Sequence, residues 1–225
     1  MHDRTWYLVR HGETEWNAAS RMQGQLDSRL TALGREHALN SARLLARLGA
    51  DTAFASPLGR VRETVAIIQA EMPVAVTFDD RLKEWSAGDW SGALHEDIPR
   101  RWPAEWAAWD ADRYGYRSPG GENFADMTAR SRAFLADAAS VSGDRVAIIA
   151  HGFLNRALAG VLLSLTPAET LDIRQSNDTV IRIIEKSGAP VVDYFKGGEG
   201  PLPGLPTATS SRSDQGTHSP SSTWA

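Results

Sequence analysis

The sequence predicts an α/β fold, a sheet covered by helices on both faces. Three observations carry the prediction. Short apolar runs alternate with helical patterns from residue 5 to about 196. The runs are apolar almost throughout, as in strands buried on both sides, and three of them lead straight into a polar cluster.

Taken in order, Trp6-Tyr7-Leu8-Val9 reads as a short buried strand running into Arg10-His11-Gly12. A helix follows Thr31, with Leu33, Leu44, Leu45 and Leu48 on its apolar side and Gly49 as its stop. Thr52–Ala55 is a second strand. Residues 57–72 form a helix, with Val61, Val65 and Ile68 spaced by four and three. Val74–Val76 is a short extended run. Residues 124–139 are helical, and Val146–Ala150 is the clearest buried strand in the chain. Residues 153–165 return to helix, and Val180–Ile184 and Val191–Phe195 close the domain as strands.

Composition divides the chain at about residue 197. Residues 1–197 have the make-up of one folded domain. Residues 198–225 hold four Gly, four Pro, six Ser and four Thr, with Leu202, Leu205 and Trp224 as the large apolar residues. A stretch so poor in apolar surface cannot offset its ordering entropy, so 198–225 is expected to be a disordered tail. In 225 residues, Lys+Arg number 24 against 28 Asp+Glu, a net charge of −4 that argues against nucleic-acid or anionic-membrane partners. The absence of cysteine removes disulfide frameworks, thiolate zinc sites and thiol nucleophiles together. No signal peptide is visible at the amino terminus. The longest nearly apolar run, residues 157–165, is far short of the roughly 20 residues that span a bilayer, so a cytoplasmic protein is expected.

The chemistry is concentrated after the strands. Arg10-His11-Gly12 follows the first, Ser56-Pro57-Leu58-Gly59-Arg60 the second, and His151-Gly152 the clearest one. Ligand crevices of open α/β sheets lie at the carboxyl ends of strands, so two histidines and two arginines should converge there. Guanidinium groups match phosphate oxygens bidentately and stay charged. A neutral imidazole can attack phosphorus, and a second imidazole with the arginines can stabilise the transferring phosphoryl group. A leaving alcohol needs a proton, and Glu84, in an apolar setting between Lys83 and Trp85 with Trp90 nearby, is the best candidate acid.

The segment Leu8-Val9-Arg10-His11-Gly12-Glu13-Thr14-Glu15-Trp16-Asn17 resembles the signature of the histidine phosphatase superfamily, the phosphoglycerate mutase-like family. The likeness continues in order through residues 21–24 and 27–34, 56–64, 84–92, 119–123 and 149–152, across residues 5 to about 185. It implies a three-layer α/β/α sandwich with a mostly parallel central sheet, a phosphohistidine intermediate, and neither metal nor cofactor. Carried over residue by residue, it makes His11 the nucleophile and Glu84 the proton donor. Arg10, Arg60 and His151 become the phosphate pocket. Asn17 becomes an amide contact to phosphate, and Gln23, Gly24 and Gly152 lie on the substrate side. Glu13 and Thr14 hold the loop, while His37, His95 and His218 match no functional position.

The implied activity is hydrolysis of a small phosphorylated metabolite, without metal. Two alternatives stand beside it. One is a phosphoglycerate mutase, although residues 92–119 lack the long basic, proline-rich insertion expected of one. The other is a phospho-ligand binding module that has lost catalysis, against which the pair His11 and Glu84 speaks. Trp102, Trp106 and Trp109, spaced by four and three, should share one helix face. That face either docks the helix on the domain or caps the crevice for an apolar leaving group. Substrate identity and oligomeric state are not legible.

Overall fold

The computed structural model describes residues 4–140 and 143–208. The elements run β1 (Thr5–Arg10), α1 (Glu15–Ala18), α2 (Ala32–Leu48), β2 (Thr52–Ala55), α3 (Gly59–Glu71) and β3 (Val76–Phe78). They continue with α4 (Ile98–Arg101), α5 (Pro103–Ala111), α6 (Phe124–Ala138), β4 (Arg145–Ala150), α7 (Gly152–Leu163) and α8 (Pro167–Asp172). The chain then forms β5 (Thr179–Ile184), β6 (Val191–Lys196) and β7 (Glu199–Pro203). The sheet order is β3-β2-β4-β1-β5-β6-β7, parallel from β3 to β1 and antiparallel from there to β7.

The pleat sorts the core into two layers, because successive side chains of a strand point to opposite faces. Trp6 and Leu8 of β1 pack with Ile148 of β4 beneath α6 and α7, through Phe134, Leu154 and Leu158. Tyr7 and Val9 pack with Ile149 on the other face, beneath α2 and α3, through Leu45, Val65 and Ile68. This is the three-layer sandwich expected. A third cluster joins Trp85, Trp90, Ile98, Trp109, Phe124 and Met127 beside the carboxyl edge of the sheet.

Helix α2 starts where Thr31 accepts a hydrogen bond from the Gly34 amide, and stops at Gly49, whose φ of 70° suits glycine. Leu33, assigned to its apolar side, is 47% exposed, because it lies in the first turn, ahead of the residues that reach the sheet. The short run assigned to 74–76 becomes a strand two residues later, at Val76–Phe78. Trp102, Trp106 and Trp109 do not share one helix. Trp102 has φ −133° and ψ 63° and separates α4 from α5, since Pro103 opens α5 and forces its predecessor out of helical geometry.

The boundary at residue 197 is the largest correction. Glu199–Pro203 form β7 against β6, Thr207 bridges Ile173, and Arg47 donates to the Gly198 carbonyl at 2.8 Å. Leu205 also packs against the core cluster beneath α7. Composition hid this because an edge strand draws on main-chain hydrogen bonds and needs little apolar surface. The remainder of the expected tail, residues 209–225, including Trp224, lies outside the described residues.

Candidate active site

The parallel strands bring the polar clusters to one edge. Arg10 pairs in register with Ala150, and the His11 amide donates to the Ala150 carbonyl at 3.1 Å, so His11 and His151 emerge side by side. Their rings meet edge to face, with centroids 5.2 Å apart. Ser56 emerges from β2 beside them, its amide bonded to the Ile149 carbonyl at 3.0 Å. After β1 the chain leaves to the α2 face, and after β4 to the α7 face, which opens a crevice between the two strand ends.

His11 is 3% exposed. Its Nδ1 lies 2.8 Å from the Gly12 carbonyl, and its Nε2 lies 3.1 Å from Arg60 Nε. A carbonyl only accepts and a guanidinium only donates, so Nδ1 carries the proton and Nε2 the lone pair. Burial, reinforced by the Arg60 and Arg10 charges, holds His11 well below the usual histidine range. Asn177 Nδ2 donates to the His11 carbonyl at 2.8 Å and steadies the backbone beneath the ring.

Arg60 is buried, in the first turn of α3. Its guanidinium also donates to the Gly24 and Leu26 carbonyls, at 2.8 and 2.6 Å, and to Asp27 at 3.0 Å. Asp27 accepts from the Gly59 and Arg60 amides as well, so one carboxylate caps α3 and aims Arg60. Arg10 donates to the Gln175 carbonyl at 2.6 Å, while its buried Nε has no hydrogen-bond partner. Burial, and the Arg60 charge to a smaller degree, lower Arg10 from its ordinary value. His151 is fully buried, and its Nε2 lies 2.8 Å from the Ser56 hydroxyl. His151 Nδ1 is a second buried nitrogen without a partner. Burial and then Arg60 push His151, too, well below the usual histidine range. Unpaired buried polar atoms of this kind are rare, and two at one strand edge mark a place built for an oxygen-rich guest.

Glu84 sits differently from the apolar setting expected. Its carboxylate accepts from the Phe153 and Leu154 amides at 3.3 and 3.1 Å, in the first turn of α7, and from the Trp85 amide at 2.9 Å. The residue thus caps a helix whose own leading residue, His151, makes no side-chain cap. Glu84 lines one pocket with Arg10, His11, Asn17, Arg60 and Gly152. Gln23 and Gly24 line it as well, so the site residues expected from sequence converge, with His151 against the His11 ring. Asn17 Oδ1 is taken by the Thr14 amide in a capping box, at 3.1 Å.

Sequence reasoning missed the residues that hold this set in place. Arg130, on α6, donates to the Lys83 and Glu84 carbonyls at 2.7 and 3.3 Å and pairs with Glu122, fixing the segment that carries Glu84. Gln175 binds the Leu8 and Thr179 carbonyls. His95, set aside from sequence, lines the pocket, and burial lowers it to about 4. The quoted blocks contain Ser56, Asp27 and Glu122, but nothing local tells which distant partner each one meets. Among the described residues no group of three His, Cys, Asp or Glu side chains could hold a metal ion, and no helix is long and apolar enough to cross a membrane.

The chain is similar to known proteins over most of its length. A sequence model of the histidine phosphatase superfamily (branch 1) matches residues 6–196. Glucosyl-3-phosphoglycerate phosphatase of Mycobacterium tuberculosis is 36% identical over 177 residues, covering 75% of this chain and 79% of that protein. "Probable phosphoglycerate mutase GpmB" of Salmonella paratyphi C is 33% identical over 181 residues, covering 79% and 83%. Among solved structures, a mycobacterial glucosyl-3-phosphoglycerate phosphatase with VO3 superposes with a TM-score of 0.75 at 34% identity, covering 84% of this chain and 97% of that one. The α-ribazole phosphatase of Shigella flexneri, at 24% identity and TM-score 0.75, covers 83% and 93% and shares the fold.

Proposed function

The chain belongs to the histidine phosphatase superfamily, and from that membership we propose that it hydrolyses a small phosphorylated metabolite through a phosphohistidine on His11. The observation that carries the reading is the state of His11, a buried neutral ring with its proton fixed on Nδ1 and its Nε2 lone pair facing Arg60. Nε2 attacks phosphorus, the P–O ester bond breaks, and its electrons leave with the alcohol oxygen. Glu84 supplies the proton to that oxygen.

Arg10 and Arg60 hold the phosphoryl oxygens, and their charge does the work that a cation does in metal-dependent phosphoryl transfer. In this reading the Ser56 hydroxyl, 2.8 Å from Nε2 of His151, donates to it, so that the ring keeps its proton on Nδ1 and offers it to another oxygen. Asn17, Gln23, Gly24 and Gly152 shape the wall on the substrate side. In the second step a water gives its proton to Glu84 and its oxygen to phosphorus, the P–N bond breaks, and His11 regains its lone pair. We place this work in the cytoplasm, on an isolated small substrate.

The phosphoglycerate mutase reading has one observation in its favour, the likeness to "Probable phosphoglycerate mutase GpmB". Phosphate release from a panel of phosphomonoesters in excess chelator, with 3-phosphoglycerate isomerisation followed in parallel, separates the readings. Hydrolysis that persists in chelator is the expected result. Isomerisation without phosphate release would instead make the chain a mutase.

A further inference from the structure

A second pocket opens beside the catalytic one, and the mechanism above makes no use of it. Its walls are rings: Trp85, Trp109, Tyr116, Phe124 and Phe153. Trp85 and Phe153 meet edge to face at 5.6 Å, and Phe153 meets Phe124 likewise at 5.7 Å, so the rings make a rigid apolar slot. The two pockets adjoin, with Trp85, Phe153 and Arg156 in the walls of both. Phe153 follows the residue that opens α7, and its amide binds Glu84, so the slot begins at the carboxyl that serves the leaving oxygen.

The slot is also positively charged. Arg113, Arg156 and Arg174 line it against the single carboxylate of Asp172. Arg113 pairs with Asp110, whereas Arg174 donates from Nη1 to the Leu171 and Ile173 carbonyls. The Arg156 guanidinium lies over the Phe153 ring, 4.9 Å from its centre. Burial, joined by the Arg174 and Arg10 charges, lowers Arg156 to about 9. A negative group brought into the slot would relieve that crowding of like charge.

We propose that this slot is the leaving-group subsite, and that it selects phosphomonoesters whose alcohol carries a planar ring bearing an anionic substituent. The ring lies among Trp85, Trp109, Phe124 and Phe153, and its anion faces Arg156 and Arg174. The inference rests on the phosphatase reading for its chemistry, though not for its binding. A planar ring gains stacking as well as burial from such walls.

Non-hydrolysable phosphonates test the subsite independently of turnover. Three ligands share one attachment: butylphosphonate, 2-(2-naphthyl)ethylphosphonate and its 6-carboxy derivative. Titration calorimetry on the full chain is expected to show about tenfold tighter binding for the naphthyl over the butyl ligand, and a further gain with the carboxylate. Ala168→Trp, at an exposed position on α8 at the slot's rim, should fill the space and remove both gains while butylphosphonate binds as before. Circular dichroism confirms that the variant folds. Equal binding of the butyl and naphthyl ligands, a carboxylate that weakens binding, or gains that survive Ala168→Trp would each overturn the subsite. Phosphate release from the matching naphthylethyl monoester then reads the phosphatase separately. A ring preference in binding without turnover would sink the phosphatase and leave the subsite standing.

Discussion

Arg60 Nε donates to Nε2 of His11 across 3.1 Å, and this contact leaves the imidazole one way to stand. The nitrogen facing the guanidinium must hold the lone pair, and the nitrogen facing the Gly12 carbonyl must hold the proton. Burial keeps the ring neutral, and the charge of the arginine that orients it adds to the effect. Substrate phosphate can compete for the same guanidinium, and the Nε2 lone pair is then free to attack.

The loop behind His11 packs closely against α2 at Gly12. A Cβ on Gly12 would sit 2.0 Å from the Gly34 carbonyl oxygen, in the first turn of α2. Gly12→Ala must therefore push α2 away from His11. We expect a loss of about 2 kcal/mol or more in urea unfolding, with a fall in turnover. Unchanged values for both would mean that the loop yields freely.

Two neutral buried histidines make stability depend on pH. The folded-state values of His11 and His151 lie well below 6.5, so the unfolded chain binds more protons beneath that pH. Their contribution is complete above about pH 6.5 and is lost as the pH falls from there toward the depressed folded values. The urea midpoint should drop between pH 7 and 5, and the drop should be shallower in His151→Asn. Equal slopes in the two proteins would contradict the assignment.

Glu84 is tested by the leaving group. An alkoxide needs its proton, whereas a nitrophenolate barely does. In single-turnover experiments, Glu84→Gln should slow attack on alkyl phosphates by about 10²–10⁴-fold and on aryl phosphates much less. Equal losses would make Glu84 a positioning residue, a role its hydrogen bonds to the first turn of α7 would suit.

Much of this was legible from the sequence. Buried strands give continuous apolar runs, and the polar clusters after β1, β2 and β4 mark the crevice. Supporting contacts were not legible, because Ser56 with His151 and Arg130 with the Glu84 segment join residues 95 and 46 positions apart. Main-chain demands were hidden as well. Glu84 follows the needs of the first turn of α7, and β7 forms from a Gly/Pro-rich stretch because β6 offers it an open edge.

That edge strand yields a prediction of its own. Ending the chain after Lys196 removes β7, its ladder with β6, the Thr207 bridge and the Pro206 carbonyl that accepts from the Arg174 amide at 2.7 Å. Stability should fall by about 1–3 kcal/mol, as when several main-chain hydrogen bonds lose their partners. A truncated chain as stable as the full one would show that β7 contributes nothing.

The central claim, that phosphate passes through His11, is most directly tested by rapid acid-free quench of the enzyme with 32P-labelled monoester, followed by peptide mapping. The predicted result is one acid-labile, base-stable label on His11, absent from His11→Ala, which should also lose turnover at least about a thousandfold. Label on another residue, or turnover by His11→Ala close to that of the unaltered chain, would contradict it.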